Sequence, residues 1–179
     1  MAQDLLGCVV SRQRVSGLIV ETEAYHEIEP ASHAYVGRTA RSGTLFGPPG
    51  FAYIYRSYGI HTMLNLVCEP EGSAAGVLIR ALEPRSGLPR MRERRGRVGD
   101  HDLCSGPGTL AQALGILMSD NGRDLRVGPV LVRPRPAGWT PGPVAVGPRV
   151  GITKAVDLPW RFALAGHPDV SRPRPRGAG

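Results

Sequence analysis

The sequence has no long apolar run and few cysteines, and each shortage argues against a class of protein. No run approaches the ~18 consecutive apolar residues of a membrane-spanning helix. The first residues lack the basic and then apolar layout of a signal peptide. The three cysteines, Cys8, Cys68 and Cys104, form no CxxC pair, which argues against a zinc ribbon and a disulfide framework. We therefore expect a protein of the reducing cytoplasm that has no membrane partner.

Motifs for metals and phosphates are also missing. His33 and His61 could join Glu21 or Glu23 in a metal site, but no HExxH or comparable spacing supports one. The glycines of residues 46–50 do not stand between a strand and a helix, as those of a phosphate-binding loop do. We therefore expect neither a metal nor another cofactor.

Lysine is almost absent, yet the sequence is basic. Lys154 is the only lysine among 22 basic residues, and the net charge is +7. The planar guanidinium of arginine pairs with phosphate through two hydrogen bonds. Such a charge is typical of a protein that binds a polyanion, less tightly as the salt concentration rises. A solvated basic surface without a partner has the same composition, so composition alone does not decide between them.

The apolar patterns predict a single α+β domain, residues 1–170, followed by an arginine- and proline-rich tail, residues 171–179, that we expect to be disordered. Strands outnumber helices, and the tight connections favour antiparallel pairing. The predicted strands are 5–10, 18–25, 51–56, 60–68, 75–82, 127–132 and 144–150, and the predicted helices are 85–97 and 105–121. In the second helix, leucines recur at helical spacing and Ser105 is the expected cap.

Two carboxylates and a phenol fall on one face of the second predicted strand. Because side chains alternate along a strand, Glu21, Glu23 and Tyr25 share that face. An inward carboxylate beside an aromatic ring can act as a general base on water, whereas a carboxylate paired with an arginine has a structural role. Paired carboxylates also serve glycoside hydrolases, and the pair alone does not separate these roles.

Three tyrosines, Tyr53, Tyr55 and Tyr58, lie within six residues, although aromatic residues make up only 6% of the chain. Tyr53 and Tyr55 share a strand face, and Tyr58 falls at a turn beside Gly59. Aromatic faces stack on nucleobases, but tyrosine is also common in ordinary strand packing. The exposed turn favours a binding role for Tyr58 more than for Tyr53.

Nine motifs carry a resemblance to a known family. They are VETEAY (20–25), ASHA (31–34), LFGPPG (45–50), YIYRSYG (53–59), LIRALEP (78–84), SGPGTLAQALGI (105–116), NGRDL (121–125), PRVGI (148–152) and PWRF (159–162). From about residue 5 to residue 171 the chain resembles the alkyladenine (3-methyladenine) DNA glycosylases. The resemblance implies one compact domain around a curved, mainly antiparallel sheet.

The resemblance also implies the reaction. The protein would be a base-excision-repair enzyme that flips alkylated or deaminated purines out of double-stranded DNA and hydrolyses the N-glycosidic bond. Glu23 would activate the attacking water, with Arg80 near that water and the phosphate of the flipped nucleotide. An abasic site would remain, and no lyase step through a lysine Schiff base is expected.

The remaining site residues follow from the same resemblance. Tyr25 and Tyr55 would stack on the two faces of the flipped base, and His33 would complete the pocket wall. Asn65 would crowd the C2 edge of the purine and disfavour guanine, while Tyr58 would insert into the duplex. Because one chain can complete this site by itself, we expect a monomer without an obligate protein partner, associated with the nucleoid if the source is bacterial. The basic segment 85–97 would hold DNA phosphates.

Two other interpretations stay open at this point. A protein of the same fold could recognise damaged DNA without cleaving it, although such a protein needs no general base. A metal-dependent nuclease or hydrolase could use Glu21, Glu23 and His33.

In the tyrosine motif, Arg56 and Ser57 replace residues that are usually apolar or aromatic in the family, which affects the expected substrate range more than the reaction type.

Overall fold

The computed structural model describes residues 1–96 and 98–174. These residues form an α+β fold around one curled sheet, as predicted. The strands are β1 (Val9–Arg12), β2 (Val15–His26), β3 (Ala52–Ser57), β4 (His61–Val67), β5 (Ala75–Ser86), β6 (Val130–Arg133), β7 (Val144–Gly147) and β8 (Arg161–Leu164). The helices are α1 (Leu88–Arg95) and α2 (Pro107–Leu114). Within the described part of the chain, no helix has the length and apolar character needed to cross a membrane.

All the pairings between these strands are antiparallel, and the sheet order is β3-β4-β5-β2-β1-β6, with β8 on β2 and β7 on β8. β5 pairs along most of β2; β1 pairs with the first residues of β2, and β8 pairs with Glu21–Glu23. Register shifts fall between Ile19 and Thr22, and such irregularities re-aim side chains. β2 therefore presents Glu21 and Glu23 from a segment that is supported by strands on both edges.

Two apolar clusters fix the surroundings of β2. The main core includes the fully buried side chains of Leu18, Ile79, Leu110 and Leu114, and it packs α2 against the sheet. A smaller cluster packs the loop between β2 and β3 onto β3 and β4. It includes Ala34 and Leu45 of the loop, Tyr53 of β3 and Val67 of β4. The backbone beside His33 is therefore held in place by burial of the next residue.

Several predicted boundaries are wrong, and for the end of α2 the physical reason is visible. The helix predicted to run to residue 121 ends at Leu114, because Gly115 adopts a positive φ of 72° and its N–H bonds to the carbonyl of Gln112. Gly106, not Ser105, stands at its start, without a side-chain cap. The sheet gains β8, which was not predicted, and β1 begins at Val9 rather than residue 5.

The predicted boundary between domain and tail stays a prediction. Residues 175–179 lie outside the described residues, as does Arg97 of the basic segment 85–97. Ser171, the first residue of the predicted tail, is only 2% exposed. It hydrogen-bonds to Glu21, Arg80 and Arg161.

Candidate active site

A cavity of about 710 Å³ opens beside β2, β4 and β5. Its walls come from side chains of these strands, the loop between β2 and β3, the β3–β4 hairpin and residues 150–154. Six of the seven predicted site residues line it: Tyr25, His33, Tyr55, Tyr58, Asn65 and Arg80. The seventh, Glu23, is fully buried and lies behind the wall.

The carboxylate of Glu23 is held by three groups that themselves line the cavity. Its Oε2 accepts a hydrogen bond from the hydroxyl of Tyr25 at 2.9 Å. Its Oε1 accepts one from the backbone N–H of Val150 at 2.8 Å and lies 3.2 Å from Nη1 of Arg80. The carboxylate therefore lies behind a single layer of residues that line the cavity. An arginine balances its charge, and contacts with three residues fix its orientation.

Tyr25 is the link between this carboxylate and the cavity. Burial, followed by the nearby charge of Glu23, raises the pKa of the Tyr25 phenol. The phenol therefore stays protonated and donates to Glu23. On the ring of Tyr25, the guanidinium of Arg149 lies 4.6 Å from the centroid, and Arg149 is itself paired with Glu29 at 2.7 Å. Because Arg149 is buried and does not line the cavity, it supports the ring from behind.

Arg80 joins both carboxylates of β2. Its Nε donates to Glu21 at 2.9 Å, its Nη2 donates to the hydroxyl of Ser171 at 3.1 Å, and its Nη1 lies 3.2 Å from Glu23. Burial alone would favour the neutral form, but the charges of Glu23 and Glu21 raise the pKa of Arg80. The guanidinium is therefore a fixed cation at the cavity wall.

An aromatic cluster forms another part of the lining. The ring of His33 meets that of Tyr55 edge-on, with centroids 4.6 Å apart, and its Nδ1 shares a hydrogen bond of 2.9 Å with the hydroxyl of Tyr53. Burial, and then the charge of Arg41, lowers the pKa of His33 to about 4. His33 is therefore neutral at pH 7. For Tyr53 the sequence leaves open both stacking on a base and ordinary strand packing. In the structure Tyr53 is buried, and its hydroxyl positions His33.

Tyr58 and Asn65 sit on the same hairpin but in opposite environments. Tyr58 is 90% exposed at the turn, where it and Gly59 adopt positive φ angles of 51° and 71°. Asn65 is 5% exposed, and its amide donates to the carbonyl of Tyr53 at 3.1 Å. The hairpin therefore presents one free aromatic ring at the rim and one fixed amide in the wall.

Two exposed cations, Arg41 and Lys154, also line the cavity, and neither was among the predicted site residues. The guanidinium of Arg41 lies 5.3 Å from the centroid of the Tyr55 ring. Within the basic segment 85–97, by contrast, Arg92, Arg94 and Arg95 hydrogen-bond within the chain, to Asp100, Ala113 and Leu103 respectively. Besides Arg80 on β5, positive charge at the cavity is thus carried by the loop residues Arg41 and Lys154, which no periodic pattern places.

The residues of the alternative metal site do not form a cluster. Glu21 and Glu23 contact Arg80, whereas the ring of His33 contacts Tyr53 and Tyr55. Among residues 1–96 and 98–174, no group of three or more histidine, cysteine or acidic side chains is placed to hold a metal ion. The geometry gives the metal-dependent interpretation no support.

Comparison with known proteins decides the family. The model of the methylpurine-DNA glycosylases matches residues 1–168. The chain belongs to this family. It is therefore a DNA glycosylase, a hydrolase of N-glycosyl bonds in DNA repair, and its substrate is DNA. The resemblance drawn from the nine motifs is confirmed.

Three curated relatives, each named "Putative 3-methyladenine DNA glycosylase", show the extent of the similarity. One from Rhodopseudomonas palustris is 56% identical over 176 residues, which cover 98% of this chain and 84% of the relative. One from Bradyrhizobium diazoefficiens is 53% identical, covering 98% of this chain and 86% of the relative. One from Rubrobacter xylanophilus is 49% identical, covering 91% of this chain and 86% of the relative.

Proposed function

We propose that the cavity receives an alkylated or deaminated purine flipped out of double-stranded DNA, and that Glu23 activates the water that hydrolyses its N-glycosidic bond. The observation that carries this proposal is the position of the Glu23 carboxylate, fixed by Tyr25, Arg80 and Val150 immediately behind the cavity wall. The names of the curated relatives, which specify 3-methyladenine, support an alkylated purine as substrate.

The shape and lining of the cavity suit a flipped base. Its volume of about 710 Å³ lies within the range of roughly 300–1,000 Å³ common for ligand pockets. Tyr25 and Tyr55 offer aromatic faces, and a 3- or 7-alkylated purine is cationic, so cation–π attraction adds to stacking. Flipping costs less for a damaged or mispaired base, which contributes to selectivity.

In the proposed chemical step, the attacking water passes the lining side chains of Tyr25 and Arg80 to reach the Glu23 carboxylate. Oε1 already contacts Val150 and Arg80, whereas Oε2 accepts only from Tyr25 and keeps a lone pair for the water. Water attacks C1′ as the bond between C1′ and the purine breaks; the base leaves with the bonding electrons, and Glu23 takes a proton from the water. The transition state resembles an oxocarbenium ion, so the negative charge of Glu23 also stabilises it electrostatically. No lysine is needed for this route, and an abasic site with an intact strand remains.

A product assay tests this proposal. Duplexes that carry 7-methylguanine or hypoxanthine are incubated with the protein, and free base and strand breaks are measured with and without EDTA. We expect base release that EDTA does not change, and strand breaks only after alkali treatment. Binding without release would support the non-cleaving interpretation, and EDTA-sensitive breaks without alkali would support the nuclease.

We also propose that the enzyme acts as a cytoplasmic monomer, at the nucleoid if bacterial, because one chain supplies every residue assigned to the site. Arg41 and Lys154 line the cavity, and in the proposed complex these cations contact DNA phosphates. Each neutralised phosphate releases counterions. We therefore expect the affinity for any duplex to fall steeply between 50 and 200 mM salt, measured by fluorescence anisotropy. A flat response would remove the proposed phosphate contacts.

Asn65 gives a prediction on specificity. Shortening the residue in Asn65→Ser opens space at the proposed C2 edge, so guanine with its exocyclic amine fits better. We expect the preference for hypoxanthine over undamaged guanine, measured as the ratio of release rates, to fall roughly tenfold. An unchanged ratio, with hypoxanthine release intact, would remove Asn65 from base selection.

A further inference from the structure

We infer that the segment after β8, residues 169–171, is part of the catalytic apparatus, and that Ser171 and Glu21 position the guanidinium of Arg80 against Glu23. This inference rests on the proposed function, since it assigns positioning residues to the same reaction. The match to the family model ends at residue 168, so Ser171 lies beyond the matched region. Neither Ser171 nor Glu21 lines the cavity.

All three nitrogens of the Arg80 guanidinium have an oxygen partner. Nε donates to Oε1 of Glu21 at 2.9 Å, and Nη2 donates to the hydroxyl of Ser171 at 3.1 Å. Nη1 lies 3.2 Å from Oε1 of Glu23. A guanidinium is planar and rigid, so fixing two nitrogens also fixes the third. The contact between Arg80 and Glu23 therefore depends on Glu21 and Ser171.

Glu21 hydrogen-bonds to β5, to β8 and to the segment after β8, and so connects all three around this guanidinium. Its carboxylate accepts hydrogen bonds from Arg80, from Nε of Arg161 at 2.6 Å, and from both the backbone N–H and the hydroxyl of Ser171, at 2.8 and 3.0 Å. With Glu23, the group contains two arginines and two carboxylates, all buried. Arg80 contacts both carboxylates, so a change in its contact with Glu21 also moves it relative to Glu23.

The segment is docked at several points. The carbonyl of Ser171 accepts a hydrogen bond from Nη2 of Arg161 at 3.1 Å. Two residues earlier, the carboxylate of Asp169 is 2% exposed and shares a hydrogen bond of 2.8 Å with Nδ1 of His101. The hydroxyl of Ser171 is therefore held where it can both donate to Glu21 and accept from Arg80.

Ser171→Ala tests the inference with the backbone contacts left in place. Without the hydroxyl, Nη2 of Arg80 loses its acceptor and the guanidinium can shift relative to Glu23. Because small displacements of catalytic groups are costly, we expect the single-turnover rate of 7-methylguanine release to fall roughly tenfold. The dissociation constant for the lesion duplex should not change, because Ser171 does not line the cavity.

Thr22→Val is the matched control. Thr22 lies on β2 between the two glutamates, is fully buried, and its hydroxyl donates to the carbonyl of Ala2 at 2.8 Å. Thr22→Val, like Ser171→Ala, therefore removes the hydrogen bond of one buried hydroxyl, but it leaves the contacts of Arg80 unchanged. Thermal unfolding measures the structural cost of both changes. The inference predicts a lower rate for Ser171→Ala alone, and equal rates for both variants would overturn it.

A pair of shortened chains provides a second test. A chain that ends at residue 174 keeps Ser171, whereas one that ends at residue 170 removes it. We expect the first to release base at the wild-type rate and the second to bind the lesion duplex but release base at least tenfold more slowly. Equal rates would overturn the inference while the proposed function stands; a wild-type protein that releases no base would instead overturn the proposed function.

Discussion

Tyr58→Ala weakens binding to a lesion-containing duplex about 5- to 150-fold and binding to undamaged duplex far less. The ring is 90% exposed at the hairpin turn, so it has few contacts to lose within the protein. In the proposed complex it fills the gap left by the flipped base, and stacking on a base contributes about 1–3 kcal/mol. Fluorescence anisotropy with two duplexes that differ only in the lesion measures both affinities.

Tyr35→Ala is the control for this prediction. Tyr35 is also an exposed tyrosine, at 53%, but it does not line the cavity. Its replacement should change both affinities equally and slightly. Equal losses on the two duplexes for Tyr58→Ala would reassign Tyr58 to a structural or nonspecific role.

Glu23→Gln removes base release and leaves binding of the lesion duplex intact. The amide keeps the size of the carboxylate and can still bond to Tyr25 and Val150, but it cannot take a proton from water or stabilise a developing cation. Loss of a general base costs typically 10²–10⁴-fold, and the lost charge adds to this. Single-turnover assays give the rate, and titration with the same duplex gives the affinity.

Asp120→Asn is a matched control for the removal of a buried carboxylate. The Oδ2 of Asp120 pairs with Nε of Arg12 at 3.1 Å and accepts the backbone N–H of Leu117 at 2.8 Å. Glu23 has the same kinds of partner, an arginine and a backbone N–H, but Asp120 does not line or back the cavity. Breaking a buried pair destabilises a protein, so both variants should lower the temperature of unfolding. Only Glu23→Gln should abolish release.

The strand pattern predicted the centre of the site because alternation is a local property. Glu21, Glu23 and Tyr25 were expected on one face of a strand, and the contacts of Glu21 and Glu23 with Arg80 and of Tyr25 with Glu23 agree with that. The two interpretations of Glu23, general base or partner of an arginine, turn out not to exclude each other. Its catalytic role stays a prediction that the geometry supports.

Long-range contacts could not be predicted in this way. Ser171 was assigned to a disordered tail from its arginine- and proline-rich surroundings, yet its bonds to Glu21 span 150 residues of sequence. Arg41 lies in a loop, where no periodicity indicates direction. The strand predicted over residues 144–150 ends at Gly147, so Val150 lies in the loop beyond β7. The helix predicted over residues 105–121 is also longer than α2. The leucine spacing continues past Gly115, and only the positive φ of that glycine reveals where the helix ends.

The proposed role of Glu23 in activating water is tested most directly by one rate. This is the rate at which Glu23→Gln, at saturating concentration, releases 7-methylguanine from duplex DNA. Wild type and Asp120→Asn are measured under the same conditions. We expect release by Glu23→Gln to approach spontaneous loss from free DNA, while the duplex remains bound and the Asp120→Asn rate stays near that of wild type. Release by Glu23→Gln at the wild-type rate would contradict this expectation.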